Sequence, residues 1–267
     1  MPNYDHIVEK ILKDLIISDY RDLFHLKEIA YARKAIVFED DLETCEARLL
    51  IFGEKAYITI KRNSQKNRKR FSIAHELGHL EMHQSIMKKF FCKDTDIDQW
   101  EKKNSISELE IEANEFAAAF LLPSQFVKND FDIDPSTDLL IEIANKYQTS
   151  IIATARRYID FCPVPAALVW SEDFYIRWFY SNDSLRELGL FVDVKGKVAQ
   201  GTTAWNLFSG HGNLKRPHKS SIDDWMKSRH RIDYDLFDQS IDLGNYNGVL
   251  TLLWLEDNYD EFDSDDE

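Results

Sequence analysis

Two histidines four residues apart are the first feature of this sequence that could do chemistry. His75 and His79 fall within Phe71–Met87, where apolar residues recur at helical spacing. Residues four apart on an α-helix share a face and lie roughly 6 Å apart along the helix axis. Two imidazoles at that separation can reach one tetrahedral zinc ion, so the pair predicts a zinc-binding helix.

Glu76 directly follows the first of these histidines. Its carboxylate cannot easily join the same coordination sphere, but it is placed to take a proton from an attacking water and pass it to a leaving amine. Zinc would add Lewis-acid chemistry, which the cleavage of an unactivated amide requires. His75-Glu76-Leu77-Gly78-His79 therefore predicts a mononuclear zinc peptidase site. The competing interpretation is a core helix carrying two hydrogen-bonded histidines.

A catalytic zinc needs a third protein ligand and one open position. His83 lies eight residues beyond His75, roughly 12 Å along the axis, and cannot share their metal while the helix stays intact. We expect His83 to be a partly buried imidazole, or one that contacts a metal ligand without touching the metal.

The next predicted helix begins at Ser105 or Ser107 and ends before Pro123. Glu110 and Asn114 are four apart on this helix and share a face, so Glu110 is expected as the third ligand and Asn114 as the residue that orients a ligand histidine. Glu112 is the alternative ligand. Glu110 could instead complete a capping box with Ser107, but a helix beginning at Ser105 leaves it available.

Composition places this site in a globular chain of 267 residues, 44% of them hydrophobic. No apolar run reaches the roughly 20 residues of a membrane span, and Met1–Lys10 is not a secretory signal. Three widely spaced cysteines argue against a disulfide framework, so we expect a soluble protein of the reducing cytoplasm.

The net charge of −14 is concentrated at one end of the chain. Eight acidic residues lie in the last twelve, Glu256–Glu267, and a terminal block of like charge predicts a solvated, disordered tail. At the opposite extreme, six of the ten residues from Lys61 to Arg70 are basic. We expect a polar loop rimming the cleft there rather than a nucleic-acid patch.

The remaining pattern predicts an α+β protein. Helical spacing covers residues 4–18 and Leu23–Ala35, and two strands joined by a tight turn follow within Arg48–Ile60. Leu139–Tyr158 has the spacing of a helix-turn-helix with its turn near Gln148-Thr149. Beyond Pro163-Val164-Pro165 we expect a small mixed α/β domain, with strands at Ala166–Trp170, Tyr175–Tyr180 and Val249–Leu255.

Two motifs together resemble the ImmA/IrrE family of metallopeptidases. They are Arg70–His83, which contains the two histidines, and Glu110–Ala117 followed by Leu121-Leu122-Pro123. The resemblance covers roughly residues 20–160. It implies a mainly helical, zincin-like minimal core with a small sheet, zinc held by His75, His79 and Glu110, and Glu76 as general base.

The resemblance also implies a biological role, the cleavage of a helix-turn-helix transcriptional repressor of a phage, a mobile element or a stress response, which derepresses genes. The substrate is expected to be encoded nearby. The resemblance weakens after residue 160, where some members carry a GAF-like sensory domain. The resulting division is a zinc peptidase domain, a helix-turn-helix-like segment, a C-terminal domain and an acidic tail, at residues 1–125, 126–162, 163–255 and 256–267.

Two other functions compete with a peptidase. A DNA-binding regulator could keep zinc for structure, but Lys146, Arg156 and Arg157 form too small a basic footprint, so direct DNA binding is disfavoured. An inactive regulatory scaffold of a toxin-antitoxin or phage-defence pair would have no need for Glu76.

Overall fold

The structure is a computed structural model that describes residues 4–43, 45–86, 89–92, 105–212, 216–228, 233–244 and 248–257. The predicted connector at Lys93–Asn104 and the acidic tail from residue 258 onward lie outside the described residues. The chain divides into two compact units, one made of Met1–Asp130 and Ile143–Thr154 and the other of Phe131–Glu142 and Ala155–Glu267. The predicted four-part division by function stays a prediction.

The N-terminal unit combines helices with a four-stranded sheet. Its elements are α1 Asp5–Asp14, a 3₁₀-helix Tyr20–Phe24, α2 Leu26–Ala32, β1 Ala35–Asp40, β2 Ala47–Phe52, β3 Lys55–Lys61, α3 Lys66–Gly78, a π-helical turn His79–His83, β4 Lys89–Cys92, α4 Ser105–Leu121 and α5 Ser124–Phe131. The strand order is β1-β3-β2-β4, with β1 parallel to β3 and the other pairs antiparallel.

The predicted hairpin is confirmed as β2 and β3. Gly53 in the turn has φ +62°, a left-handed conformation that glycine adopts without a Cβ clash. The inward side chains of this hairpin, including Leu49, Ile58 and Ile60, join one apolar core with α1, α2, α3 and α4. The sheet and the flanking helices thereby support α3 on several sides.

Two local predictions were wrong in part. The helix expected at Leu23–Ala35 covers only α2, and the chain then forms β1, whose parallel pairing with β3 is not local. The basic segment expected as a loop begins α3 at Lys66. Arg70 is 6% exposed because its guanidinium donates to the carbonyls of Leu23, Tyr147 and Gln148.

The helix-turn-helix-like segment consists of α6 Thr137–Tyr147 and α7 Ile151–Phe161. The predicted turn is confirmed, since Gln148 has φ +53° and the Thr149 amide donates to the Ala144 carbonyl. The side chain of Asn67 on α3 donates to the Thr149 carbonyl. Within the N-terminal unit, this turn is therefore hydrogen-bonded to α3, the helix that leads into the two histidines.

The C-terminal unit is organised around a five-stranded antiparallel sheet of order β6-β5-β11-β10-β8. The elements after α7 are β5 Ala166–Glu172, β6 Tyr175–Ser181, α8 Asp183–Glu187, β7 Phe191–Val192, α9 Thr203–Phe208, β8 His218–Ser220, α10 Ile222–Trp225, β9 Met226–Lys227, β10 Tyr234–Leu243 and β11 Gly248–Asp257. The three predicted strands correspond to β5, β6 and β11, and the predicted α+β class is confirmed. Within the described part of the chain, no helix combines the length and the apolar character that a bilayer span requires.

Candidate metal centre

Helix α3 is buried along its whole second half. Every residue from Arg70 to Gly78 is buried, and His75 and His79 have no exposed surface. The apolar side chains of Phe71, Ile73 and Leu77 account for this placement, because they pack into the core of the N-terminal unit. Imidazoles in such a position are costly unless hydrogen bonds or a metal ion satisfy their nitrogens.

Gly78 lets α4 approach α3 closely. A Cβ at this position would lie 2.9 Å from Cδ1 of Phe116 and 3.4 Å from Cα of Ala113. Gly78 is thus the small residue at this crossing, and the element that it admits is α4. This approach brings the N-terminal half of α4, with Glu110 and Asn114, against the two histidines.

Three atoms from α3 and α4 converge. Nε2 of His75 lies 3.1 Å from Nε2 of His79 and 3.1 Å from Oε2 of Glu110, and Nε2 of His79 lies 3.4 Å from the same oxygen. In a tetrahedral zinc site with bonds of about 2.0–2.1 Å, neighbouring ligand atoms are about 3.3–3.4 Å apart. The three residues could hold a metal ion, and their donor atoms fit zinc in type and spacing.

The charge states of Glu110 and His79 both suit a metal ligand. Burial alone would raise the pKa of Glu110, but hydrogen bonds with His75 and His79 outweigh it and hold the pKa well below its usual range. Burial lowers the pKa of His79 to about 4, against the opposing effect of Glu110. At neutral pH the site therefore presents a carboxylate and a neutral imidazole at these two positions, the forms that ligate metals.

The other ring nitrogens of the two histidines also have partners. Nδ1 of His75 lies 2.8 Å from Oδ1 of Asn114, and Nδ1 of His79 lies 2.9 Å from Nδ1 of His83. His83 is thus placed behind His79 and outside the converging group. Nε2 of His83 in turn lies 2.9 Å from Oε2 of Glu112, so the two glutamates of α4 contact different histidines.

Glu76 is fully buried in α3, one residue after His75. A carboxylate without exposed surface is rare in protein interiors, because its charged form is poorly solvated there. Its burial beside the converging group makes Glu76 a candidate for chemistry there.

The pairing of His83 with Glu112 is the part of the site that sequence reasoning did not find. A signal was available, since His83 follows His79 by the same four residues that separate His79 from His75. The link to Glu112 depends on how α4 lies against α3, and no local pattern contains that information.

Comparisons with known proteins agree with this geometry. The model of the IrrE N-terminal-like domain of the Peptidase M78 family matches residues 35–158, which include all of the site residues described above. Among solved structures, a Mycobacterium tuberculosis transcriptional regulator is similar, with a TM-score of 0.59 and 14% sequence identity over 93% of this chain and 74% of that one. At that identity the likeness concerns the fold alone. No curated protein matches the chain.

The family match includes both sequence motifs, and the resemblance predicted from them is confirmed. Residues 35–158 of this chain are therefore similar to the IrrE N-terminal-like domain of the Peptidase M78 family.

Proposed function

We propose that this chain is a zinc-dependent endopeptidase that cleaves a helix-turn-helix transcriptional repressor and thereby derepresses genes. The observation that carries the proposal is the convergence of His75 Nε2, His79 Nε2 and Glu110 Oε2 within 3.4 Å of one another, in the buried helix pair that also contains Glu76. The match of this region to the model of a peptidase family supports the same proposal.

His75, His79 and Glu110 would hold the zinc ion. Two imidazoles and one carboxylate are an ordinary ligand set for catalytic zinc, and they leave one position open for water or substrate. When bound, the metal supplies Lewis-acid polarisation of the scissile carbonyl and makes water a better nucleophile. Structural zinc sites are instead usually closed by four protein ligands, which disfavours a purely structural role.

Glu76 would act as the general base. Its carboxylate takes a proton from the attacking water and returns it to the leaving amine, so the amine departs as a neutral group. General acid–base groups typically contribute about 10²–10⁴-fold to rate, which sets the loss expected when Glu76 is removed.

Asn114 would orient His75. Its Oδ1 lies 2.8 Å from Nδ1 of His75 and would accept a hydrogen bond from the N–H at that position. The lone pair on Nε2 of His75 is then left for the metal. Outer hydrogen bonds of this kind fix both the tautomer and the ring angle of a ligand histidine. Asn114 would therefore fix the tautomer and ring angle of His75, and another residue must fix those of His79.

The substrate class follows from family resemblance. A repressor of the helix-turn-helix type fits the biology implied by the ImmA/IrrE resemblance, and the similar solved structure is described as a transcriptional regulator. A protein substrate also fits a site that offers a metal ligand set and a buried acid without any recognisable cofactor motif. The C-terminal unit would position the substrate or sense the activating signal.

The test compares purified full-length protein with Glu76→Gln on a helix-turn-helix repressor encoded next to its gene. Glu142→Gln, which removes an exposed carboxylate, serves as the matched control. We expect the unaltered protein and the control to cut the repressor at one position mapped by mass spectrometry, with one zinc bound per chain. Glu76→Gln should keep the zinc and lose at least about 10²-fold in rate. Equal cleavage by Glu76→Gln would refute the mechanism, and an intact repressor with the zinc-loaded protein would refute the substrate class.

A further inference from the structure

A chain of three side chains leads from the surface of α4 to the candidate metal group. Oε2 of Glu112 lies 2.9 Å from Nε2 of His83, whose Nδ1 lies 2.9 Å from Nδ1 of His79. Nε2 of His79 belongs to the converging group with Glu110. This series of hydrogen-bonded side chains thus ends on a proposed ligand atom, although neither Glu112 nor His83 touches the place where a metal would lie.

The direction of the hydrogen bonds in this chain is fixed at its outer end. An ionised carboxylate only accepts, so Nε2 of His83 must donate to Glu112. In a neutral imidazole the other nitrogen then accepts, so Nδ1 of His79 must donate to Nδ1 of His83. That leaves Nε2 of His79 with a lone pair, which is the state a metal ligand needs.

We propose that His83 and Glu112 are positioning residues of the metal centre, with Glu112 acting through His83 to hold His79 in the tautomer and ring orientation that bind metal. The inference rests on the proposed function, in which His79 is a zinc ligand. It assigns to Glu112 a task parallel to that of Asn114, which contacts His75 directly.

Local backbone geometry supports this role. The residues from His79 to His83 form a π-helical turn at the end of α3, and such turns occur preferentially at functional sites. The His79 and His83 rings are 5.1 Å apart and tilted by 56°, so they meet through their nitrogens instead of stacking face to face. The turn therefore extends α3 and places the imidazole of His83 behind that of His79.

The exposure of these hydrogen-bonded side chains increases from His79 outward to Glu112. The His79 and His83 side chains are 0% and 3% exposed, whereas the Glu112 side chain is 41% exposed. The Glu112 carboxylate is in contact with solvent, while the two imidazoles lie where hydrogen bonds are least screened. A negative charge at the outer end stabilises the donor sense of His83 and strengthens His79 as a ligand.

Glu110 and Glu112 can perform different tasks on one helix because they are two residues apart. Side chains at this spacing differ in direction by about 200° around the axis. Glu110 contacts both His75 and His79, whereas Glu112 contacts His83. The two carboxylates are thus not interchangeable.

The experiment measures zinc affinity of the full-length protein by competition with a chromophoric chelator, without using cleavage. Outer-shell partners of metal ligands typically contribute about 10–100-fold to metal affinity, and this is the loss expected for His83→Phe and for Glu112→Ala. His83→Gln should restore the affinity to within a few-fold, because its amide can accept from His79 and donate to Glu112. Glu115→Gln on the same helix is the control and should bind zinc normally.

A cobalt-substituted form gives a second readout. Its absorption bands report the ligand field, and we expect them to shift in His83→Phe but not in His83→Gln. The double variant His83→Phe/Glu112→Ala should be no weaker than His83→Phe alone, because the two residues act in series. If His83→Phe does not fold, the half-exposed Glu112→Ala variant decides the matter.

Unchanged zinc affinity in Glu112→Ala, or equal weakening by Phe and Gln at position 83, would overturn the inference. A wild-type protein that binds zinc but does not cleave the repressor would contradict the proposed substrate alone. A wild-type protein that binds no zinc would overturn both proposals at once.

Discussion

Gly78 of α3 packs directly against Phe116 of α4, with no room for even one added methyl group. A Cβ on Gly78 would come within 2.9 Å of the Phe116 ring, which is itself fully buried. Because Gly78 lies beside His79 and Phe116 lies six residues after Glu110, this contact controls the distance between the helices that carry the two histidines and Glu110.

Gly78→Ala should therefore disturb both stability and the metal group. Overpacking a well-filled core typically costs about 1–3 kcal/mol, and we expect a loss of that size in urea denaturation. Zinc affinity should fall as well, because α4 must shift away from His75 and His79. The double variant Gly78→Ala/Phe116→Leu returns the space and should recover part of both losses. Normal stability and zinc affinity in Gly78→Ala would show that the helix separation does not depend on this contact.

Glu39 should make a pH-dependent contribution to stability. Its carboxylate accepts from Lys27 of α2 and Lys69 of α3, each at 2.7 Å, and these ammonium groups lower the pKa of Glu39 to about 2. A folded-state pKa below the unfolded one stabilises the fold above the ordinary glutamate value of roughly 4.3. That stability is lost as the pH falls toward 2.

Glu39→Gln is consequently expected to lower the free energy of unfolding at pH 7 by up to about 1 kcal/mol, a modest figure because all three side chains are partly exposed. The difference from the unaltered protein should shrink between pH 4 and pH 2. Glu54→Gln, at a carboxylate whose side chain is 91% exposed, provides the comparison. A pH-independent difference would exclude the ion pairs as its cause.

The basic side chains of the helix-turn-helix-like segment are engaged within the protein. Arg156 lies 3.9 Å from the centre of the Tyr180 ring, and Arg157 lies 4.6 Å from that of Phe161. Lys146 donates to Asp130 at 2.7 Å. Phosphate contacts would require these cations to leave their present partners.

We accordingly expect no sequence-specific, salt-sensitive band in gel-shift experiments with the purified protein and the operator of the candidate repressor. The repressor itself, tested on the same operator, is the positive control. Specific retention that weakens steeply with added salt would contradict this expectation and favour a DNA-binding regulator.

The site shows which inferences a sequence can support. The four-residue spacing of His75 and His79, and of Glu110 and Asn114, is enough to place each pair on one helical face. The structure brings the two faces together, since His75 contacts both Glu110 and Asn114. Which of Glu110 and Glu112 lies against His75 and His79 depends on the approach of α4 at Gly78, and this is a tertiary contact.

Long-range pairing explains the failures. Arg70 belongs to a strongly basic run and was expected in a solvated loop, but its three carbonyl acceptors lie 47 to 78 residues away in the sequence. Strand β1 was not predicted, because it depends on parallel pairing with β3, which follows it after β2 in the sequence. In both cases the hydrogen bonds that decide the conformation join segments far apart in the sequence. A pattern within a short stretch of residues cannot predict such pairing.

The most direct test of the metal centre is the anomalous diffraction of crystals of the full-length protein grown with equimolar zinc, recorded at the zinc absorption edge. We predict one peak bonded to Nε2 of His75, Nε2 of His79 and the carboxylate of Glu110, with Glu112 still on His83. No bound zinc, or an ion ligated by His83 or Glu112, would contradict the account.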